Sequence, residues 1–316
     1  MRRVRSVMLL CAFLAVAGVA LASEMQPYAF TSRPGDDIAI RSRGPVPYQC
    51  EDPWYWCGSC DFSAGGSSTD AWNADMEYDE IHNVMWTVEI CGNYGLEAWD
   101  YDNPCQIYFD CDSVTGYCER GVAYDPTENR LYVSNWISGI VYKLDPEDDC
   151  AQLGYGDLNY LGYPYTQVSG LAYDENHDVI WVVTNSDPDW LFAIETFADG
   201  YYGNGTLASG FYAGPVDWGC YQGPYKGAGM DYDKDSNELY LVNQANQWDG
   251  TYTEIFDVGD GSAPIFIYGV RNVDNEGDFF GWGIGKKDGT YVYELWVTDI
   301  NPSITPPCFI QCQGYP

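Results

Sequence analysis

The chain is 316 residues long and carries 47 acidic residues against 14 basic ones, a formal net charge of −33. A surface this negative repels phosphate backbones, which excludes nucleic acid as a partner. With 46% hydrophobic and 16% aromatic residues it still forms a core, unlike a disordered acidic tail.

The N-terminus reads as an export signal. Arg2, Arg3 and Arg5 precede an apolar run from Val7 to Leu21, and Ala20-Leu21-Ala22 gives the small-x-small pattern cut after Ala22. No later segment approaches the roughly 20 apolar residues of a membrane-spanning helix. The chain is therefore expected to be secreted or extracytoplasmic, with a signal peptide over 1–22, a flexible leader over 23–47 and one domain over 48–316. Eleven of the twelve cysteines lie beyond the signal. In an oxidising compartment they are expected to pair, and the odd number leaves one free or bonded to another copy of an otherwise monomeric protein. Cys57-Gly58-Ser59-Cys60 has the spacing of a zinc or redox half-site, a reading that export disfavours.

From residue 76 onward one pattern recurs. Tyr78-Asp79 leads to Trp86, Tyr124-Asp125 to Tyr132, Tyr173-Asp174 to Trp181, and Tyr232-Asp233 to Tyr240, always with seven residues from Asp to aromatic. A looser fifth copy runs from Asp288 to Trp296. Constant inner spacing with outer spacing of 46 to 59 residues describes a structural unit carrying loops of different lengths. The segments after each turn, 131–135, 180–185 and 239–243, are short, β-branched and aromatic, so they read as second strands. Third strands are expected over 139–144, 190–194 and 253–257, and fourth strands over 152–158 and 264–269. No segment holds a helical period with caps. Four strands per repeat predict an all-β β-propeller of five blades, with six as the alternative. The last repeat is short, so the N-terminal segment 48–62 is expected to complete it. At least one disulfide should then join residues 50–60 to Cys308 or Cys312, closing the ring with both chain ends.

Gly121-Val122-Ala123-Tyr124-Asp125 before Leu131-Tyr132-Val133-Ser134-Asn135, with the matching phrase Gly170 to Asn185, resembles the blades of the YVTN, NHL and gluconolactonase-type propeller superfamily. The resemblance covers residues 70–300 and implies the fold. Its members include lactonases, lyases and plain binding scaffolds. It also implies a ligand-binding face formed by the loops after second strands and before first strands. On this sequence those loops hold Asn135, Asn185, Asn243 and Asp299, with Glu119, Arg120 and Lys226 opposite. Trp136, Trp190, Asn246 and Trp248 stand beside them, a set suited to stacking and hydrogen bonding a sugar. Gluconolactonase-type members hold a divalent metal, but the Glu and Asp of their first-strand phrases are absent here, so no catalytic residue carries over.

Other chemistry is sparse. His82 and His177 each lie three residues after a repeat Asp, which marks them as turn residues. No Gly-x-Ser-x-Gly elbow or phosphate-binding loop occurs. Asp231, Asp233 and Asp235 alternate like calcium ligands, although Ser236 and Val242 replace the Gly and Glu of a complete calcium loop. The sequence thus favours a secreted binding module for a protein, glycan or small molecule, with no certain cofactor beyond a candidate Ca²⁺. A calcium-dependent lactonase or lyase and a lectin-like propeller are the rival readings.

Overall fold

The computed structural model describes residues 50–51, 55–61, 72–90, 94–101, 107–112, 119–220, 222–246, 250–259, 261–271, 281–286, 294–299 and 309–314. All lie in the compact unit Tyr48–Pro316. The expected signal and leader, and the cysteine partners foreseen at the C-terminus, fall outside the described residues or their side chains.

Two strands precede the repeats, β1 (Cys50–Glu51) and β2 (Tyr55–Asp61). The first blade is β3 (Trp72–Asp79), β4 (Val84–Ile90), β5 (Tyr94–Asp100) and β6 (Ile107–Asp112). The second is β7 (Glu119–Asp125), β8 (Arg130–Asn135), β9 (Ile140–Asp145) and β10 (Ala151–Asp157). The third begins β11 (Val168–Asp174), β12 (Val179–Thr184) and β13 (Trp190–Glu195). The chain then returns to the second blade, laying β14 (Tyr202–Asn204) parallel to β10, before β15 (Ala213–Pro215) completes the third. The fourth is β16 (Gly227–Asp233), β17 (Glu238–Asn246), β18 (Gly250–Asp257) and β19 (Ile265–Arg271), with β1 parallel to β19 at its edge. A fifth sheet joins β20 (Gly281–Lys286), β21 (Glu294–Asp299), β22 (Phe309–Gly314) and β2.

The protein is an all-β propeller. Four blades carry the repeat with its side chains described, one fewer than the sequence suggests. The fifth sheet is described as strands, and the described residues form no sixth. Expected second, third and fourth strands agree with those found to within a few residues at each end. The exception is β15, three residues long after an excursion of 17 residues, too short to carry a strand pattern.

In the first and third blades, where the aromatic is Trp, the seven-residue spacing is closed by a hydrogen bond. Asp79 Oδ1 accepts the backbone N–H groups of Ile81 and His82, which shapes the turn, while Asp79 Oδ2 accepts the indole N–H of Trp86 at 3.1 Å. Asp174 does the same for Asn176, His177 and Trp181. The turn then needs a left-handed residue, filled by Asn83, Asn129, Asp178 and Asn237 at φ from 55° to 63°. Each accepts a hydrogen bond from the repeat tyrosine, Tyr78, Tyr124, Tyr173 or Tyr232. The unit is thus Tyr-Asp-x-x-x-Asn/Asp, and the histidines bond to the repeat Asp as turn residues.

The core lies between blades. Leu131 and Val133 face the first blade with Trp86 and Leu96, whereas Tyr132 faces the third with Ile180 and Phe192. Trp181 and Val183 in turn face the fourth with Leu239 and Phe256. Each second strand is buried on both faces, hence its continuous apolar run. A disulfide, Cys111–Cys150, links the first blade to the second. Among the described residues no helix is long and apolar enough to cross a membrane.

Candidate functional site at the two ends of the ring axis

The innermost strands line the axis. Four residues before the repeat Asp, three blades carry Gly121, Gly170 and Gly229, and the first carries Asp75. A Cβ on Gly170 would lie 2.3 Å from the Ala228 carbonyl oxygen, and one on Gly121 would lie 2.9 Å from the Gly170 carbonyl carbon. The glycines therefore bring neighbouring blades into backbone contact. Asp75 is fully buried and spans the waist, its Oδ2 accepting the N–H groups of Val122 and Leu171 from two other blades. Burial holds its carboxyl well above the usual range; the three backbone donors pull it down, and Asp231 adds to the rise.

At the end where the Tyr-Asp turns lie, a pocket of about 40 Å³ is lined by Tyr78, Tyr124, Tyr173 and Tyr232, with Glu77, Asp231 and Lys234. Lys234 Nζ is 3.0 Å from Glu175 and 3.8 Å from Glu80. Burial raises the pKa of Tyr124, Tyr173 and Tyr232, so these phenols stay protonated as donors. Of the three aspartates expected to hold calcium, Asp231 lines this pocket, Asp233 Oδ1 accepts the N–H groups of Asp235 and Ser236, and Asp235 is exposed. Among the described residues no three His, Cys, Asp or Glu side chains are grouped to hold a metal ion.

The opposite, loop end holds the residues the resemblance singles out. Most are spent on the scaffold. Asn135 Oδ1 accepts the N–H groups of Ile137 and Ser138. Asn185 Nδ2 donates to the Gly227 carbonyl, and Asn243 Nδ2 donates to Glu254 Oε1 at 2.5 Å. Glu119 and Arg120 are buried, with the Arg120 guanidinium 4.8 Å from the centre of the Trp136 ring. Burial pushes the Arg120 pKa down to about 9, with Asp189 and Asp75 pulling it back up. Trp190 is half-buried under Tyr165, at 5.2 Å between ring centres. Lys226 is half-buried, and its backbone N–H donates to Asp189. Trp248 and the side chains of Asn246 and Asp299 lie outside the described residues.

Three residues emerge here that the repeat does not reveal. Asp189 Oδ1 accepts the Ser186 N–H, and Oδ2 accepts those of Trp218 and Lys226. Burial pushes it up to about 6 against those donors. Tyr163 and Tyr225 are 59% and 50% exposed. Asp75 could have been found, because it breaks a glycine column; the tyrosines had no such signal.

The fold and site define a β-propeller whose axis is bridged at the waist. No family model matches the sequence, and no curated protein matches it. Among solved structures the chain is similar to hydrazine synthase of Kuenenia stuttgartiensis, at 11% identity and a TM-score of 0.43. It covers 72% of this chain and 56% of that one. A streptogramin B lyase is 14% identical at 0.45, over 75% of this chain and 65% of the lyase. A nidogen/laminin complex gives 12% at 0.46, over 72% of each chain. The resemblance to YVTN, NHL and gluconolactonase-type propellers is one of fold.

Proposed function

We propose that the chain is an extracytoplasmic binding module: a propeller closed by both chain ends, engaging its ligand at the loop end. The signal-like segment 1–22, the Cys111–Cys150 disulfide and the high negative charge support export. Closure is supported by β20, which lies against both β16 and β3, and by the pairing of β2 with β22. One observation carries the binding reading. The amides and carboxylates of the loop end hold loops in place, and those loops expose the aromatic residues Tyr163 and Tyr225 to solvent. Asn135, Asn185, Asn243 and Asp189 all spend hydrogen bonds on the protein itself, which favours a rigid display surface over a lactonase centre.

The test uses the mature chain beginning at Ser23. It should turn over no lactone or ester, with calcium or with chelator, while a ligand screen by thermal shift should return compounds whose stabilising effect is lost in Tyr163→Ala. Steady turnover of a lactone by the wild-type chain would overturn the proposal.

A further inference from the structure

We infer that Tyr163 and Tyr225 form a platform for a neutral saccharide, an inference that rests on the binding-module reading and names its ligand. Seven described residues other than glycine have positive φ. Five are Asn or Asp, which tolerate that region, and Cys150 is buried and disulfide-bonded. The remaining one is Tyr225, at φ 59°. A bulky residue there is strained, and one that leaves half its surface in water is not held there by burial. Glycine would meet the backbone requirement without strain. The aromatic ring itself is what the position keeps.

The two residues are tied to consecutive residues of one loop, Tyr225 through its backbone and Tyr163 through its ring hydroxyl. The Tyr225 N–H donates to the Ser186 carbonyl at 2.8 Å. The Tyr163 hydroxyl donates to the Asp187 carbonyl at 2.5 Å and accepts the Asp187 N–H at 2.7 Å. Asp189 and the Ser186 hydroxyl, which donates to the Pro188 carbonyl, anchor that loop from beneath. The Tyr163 ring, ordered by its hydroxyl before binding, loses little entropy when a ligand arrives.

The chemistry around them selects the ligand. Exposed phenol rings stack on the C–H faces of pyranose rings, while Asp187, exposed and bonded to Tyr163 through its backbone, can bond hydroxyls. The net charge of −33 disfavours uronates and sulfated glycans, which leaves neutral saccharides.

Affinity electrophoresis of the mature chain tests this in gels containing β-1,4-glucan, β-1,3-glucan, xylan, mannan or α-glucan, with a polyuronate as control. At least one neutral polymer should retard the wild type, and the polyuronate should not. Tyr163→Ala and Tyr225→Gly should each weaken binding about tenfold or more, and Tyr225→Phe should stay within about twofold. Tyr225→Gly should keep or raise the melting temperature, which separates lost binding from lost folding. Retention of full affinity by Tyr225→Gly, or silence of the wild type on every neutral polymer, would overturn the inference. If a peptide instead stabilises the wild type and not Tyr163→Ala, the saccharide fails and the binding module stands. Lactone turnover would remove the module itself.

Discussion

Replacing Trp181 by Phe tests whether the repeat is held by its Asp-to-indole bond. Trp181 is fully buried, its N–H donates to Asp174 Oδ2 at 3.2 Å, and Phe211 meets it edge-on with ring centres 5.7 Å apart. Removing one donor to a buried carboxylate costs about 1.5–3 kcal/mol. The smaller ring leaves a void worth about 1 kcal/mol more. The expected loss is therefore about 3 kcal/mol, read as a shift of the urea midpoint at unchanged slope. The turn should survive, because Asp174 Oδ1 still accepts from Asn176 and His177. A double-mutant cycle with Asp174→Asn isolates the bond, and coupling of about 1.5 kcal/mol or more is expected. Additive effects of the two substitutions would show that the spacing reflects packing alone.

Other consequences follow from the same contacts. Tyr132 replaces Trp at the equivalent position, and its buried hydroxyl has no hydrogen-bond partner, so Tyr132→Phe should change stability by less than about 0.5 kcal/mol or raise it. Gly170→Ala should cost about 2 kcal/mol or more, since the new Cβ meets the Ala228 carbonyl at 2.3 Å and backbone must move; an unchanged melting temperature would contradict the close approach at the waist. Asp75 and Asp189 both have raised folded pKa values, so each binds its proton more readily in the folded state. Their contribution to stability is complete below about pH 4 and is lost as pH rises, through about 6 for Asp189 and in the same direction for Asp75. Denaturation midpoints between pH 4.5 and 7.5 at constant ionic strength should fall more steeply in the wild type than in Asp189→Asn, and parallel profiles would refute the assignment.

The blades were legible because each is written several times over. The Asp, the aromatic seven residues later and the β-branched second strand each answer to a contact made in the same blade or against the next. The Tyr-Asn/Asp pairing was also present in the text, as Tyr78 with Asn83 and Tyr124 with Asn129, but a hydroxyl reaching across a turn has no periodicity to announce it. What sequence could not show was which polar residues are already committed. Asn135, Asn185 and Asn243 look like a converging ligand set, yet their partners are a turn N–H, a carbonyl in the next blade and a buried Glu254. Those partners lie from 2 to 42 residues away, so only tertiary structure assigns them. The φ of Tyr225 is similarly invisible, because Gly-Pro-Tyr-Lys reads as any loop would.

A residue that appears in every blade is explained by the blade, whereas one that appears in a single blade requires a separate cause. The repeat tyrosines and asparagines satisfy the first condition, which is why they are poor evidence of a site even where they converge. Asp75 satisfies the second: it stands in a glycine column, and its carboxylate serves N–H groups of the two blades that follow. That cause is internal, since the groups it satisfies belong to the protein. Asp189 is likewise accounted for by the three donors around it. Tyr163 and Tyr225 differ because they are anchored, by the Tyr163 hydroxyl and the Tyr225 backbone N–H, and still stay half or more exposed. The Tyr163 hydroxyl is accounted for by Asp187; an exposed aromatic at the strained φ of Tyr225 is what the proposed ligand explains.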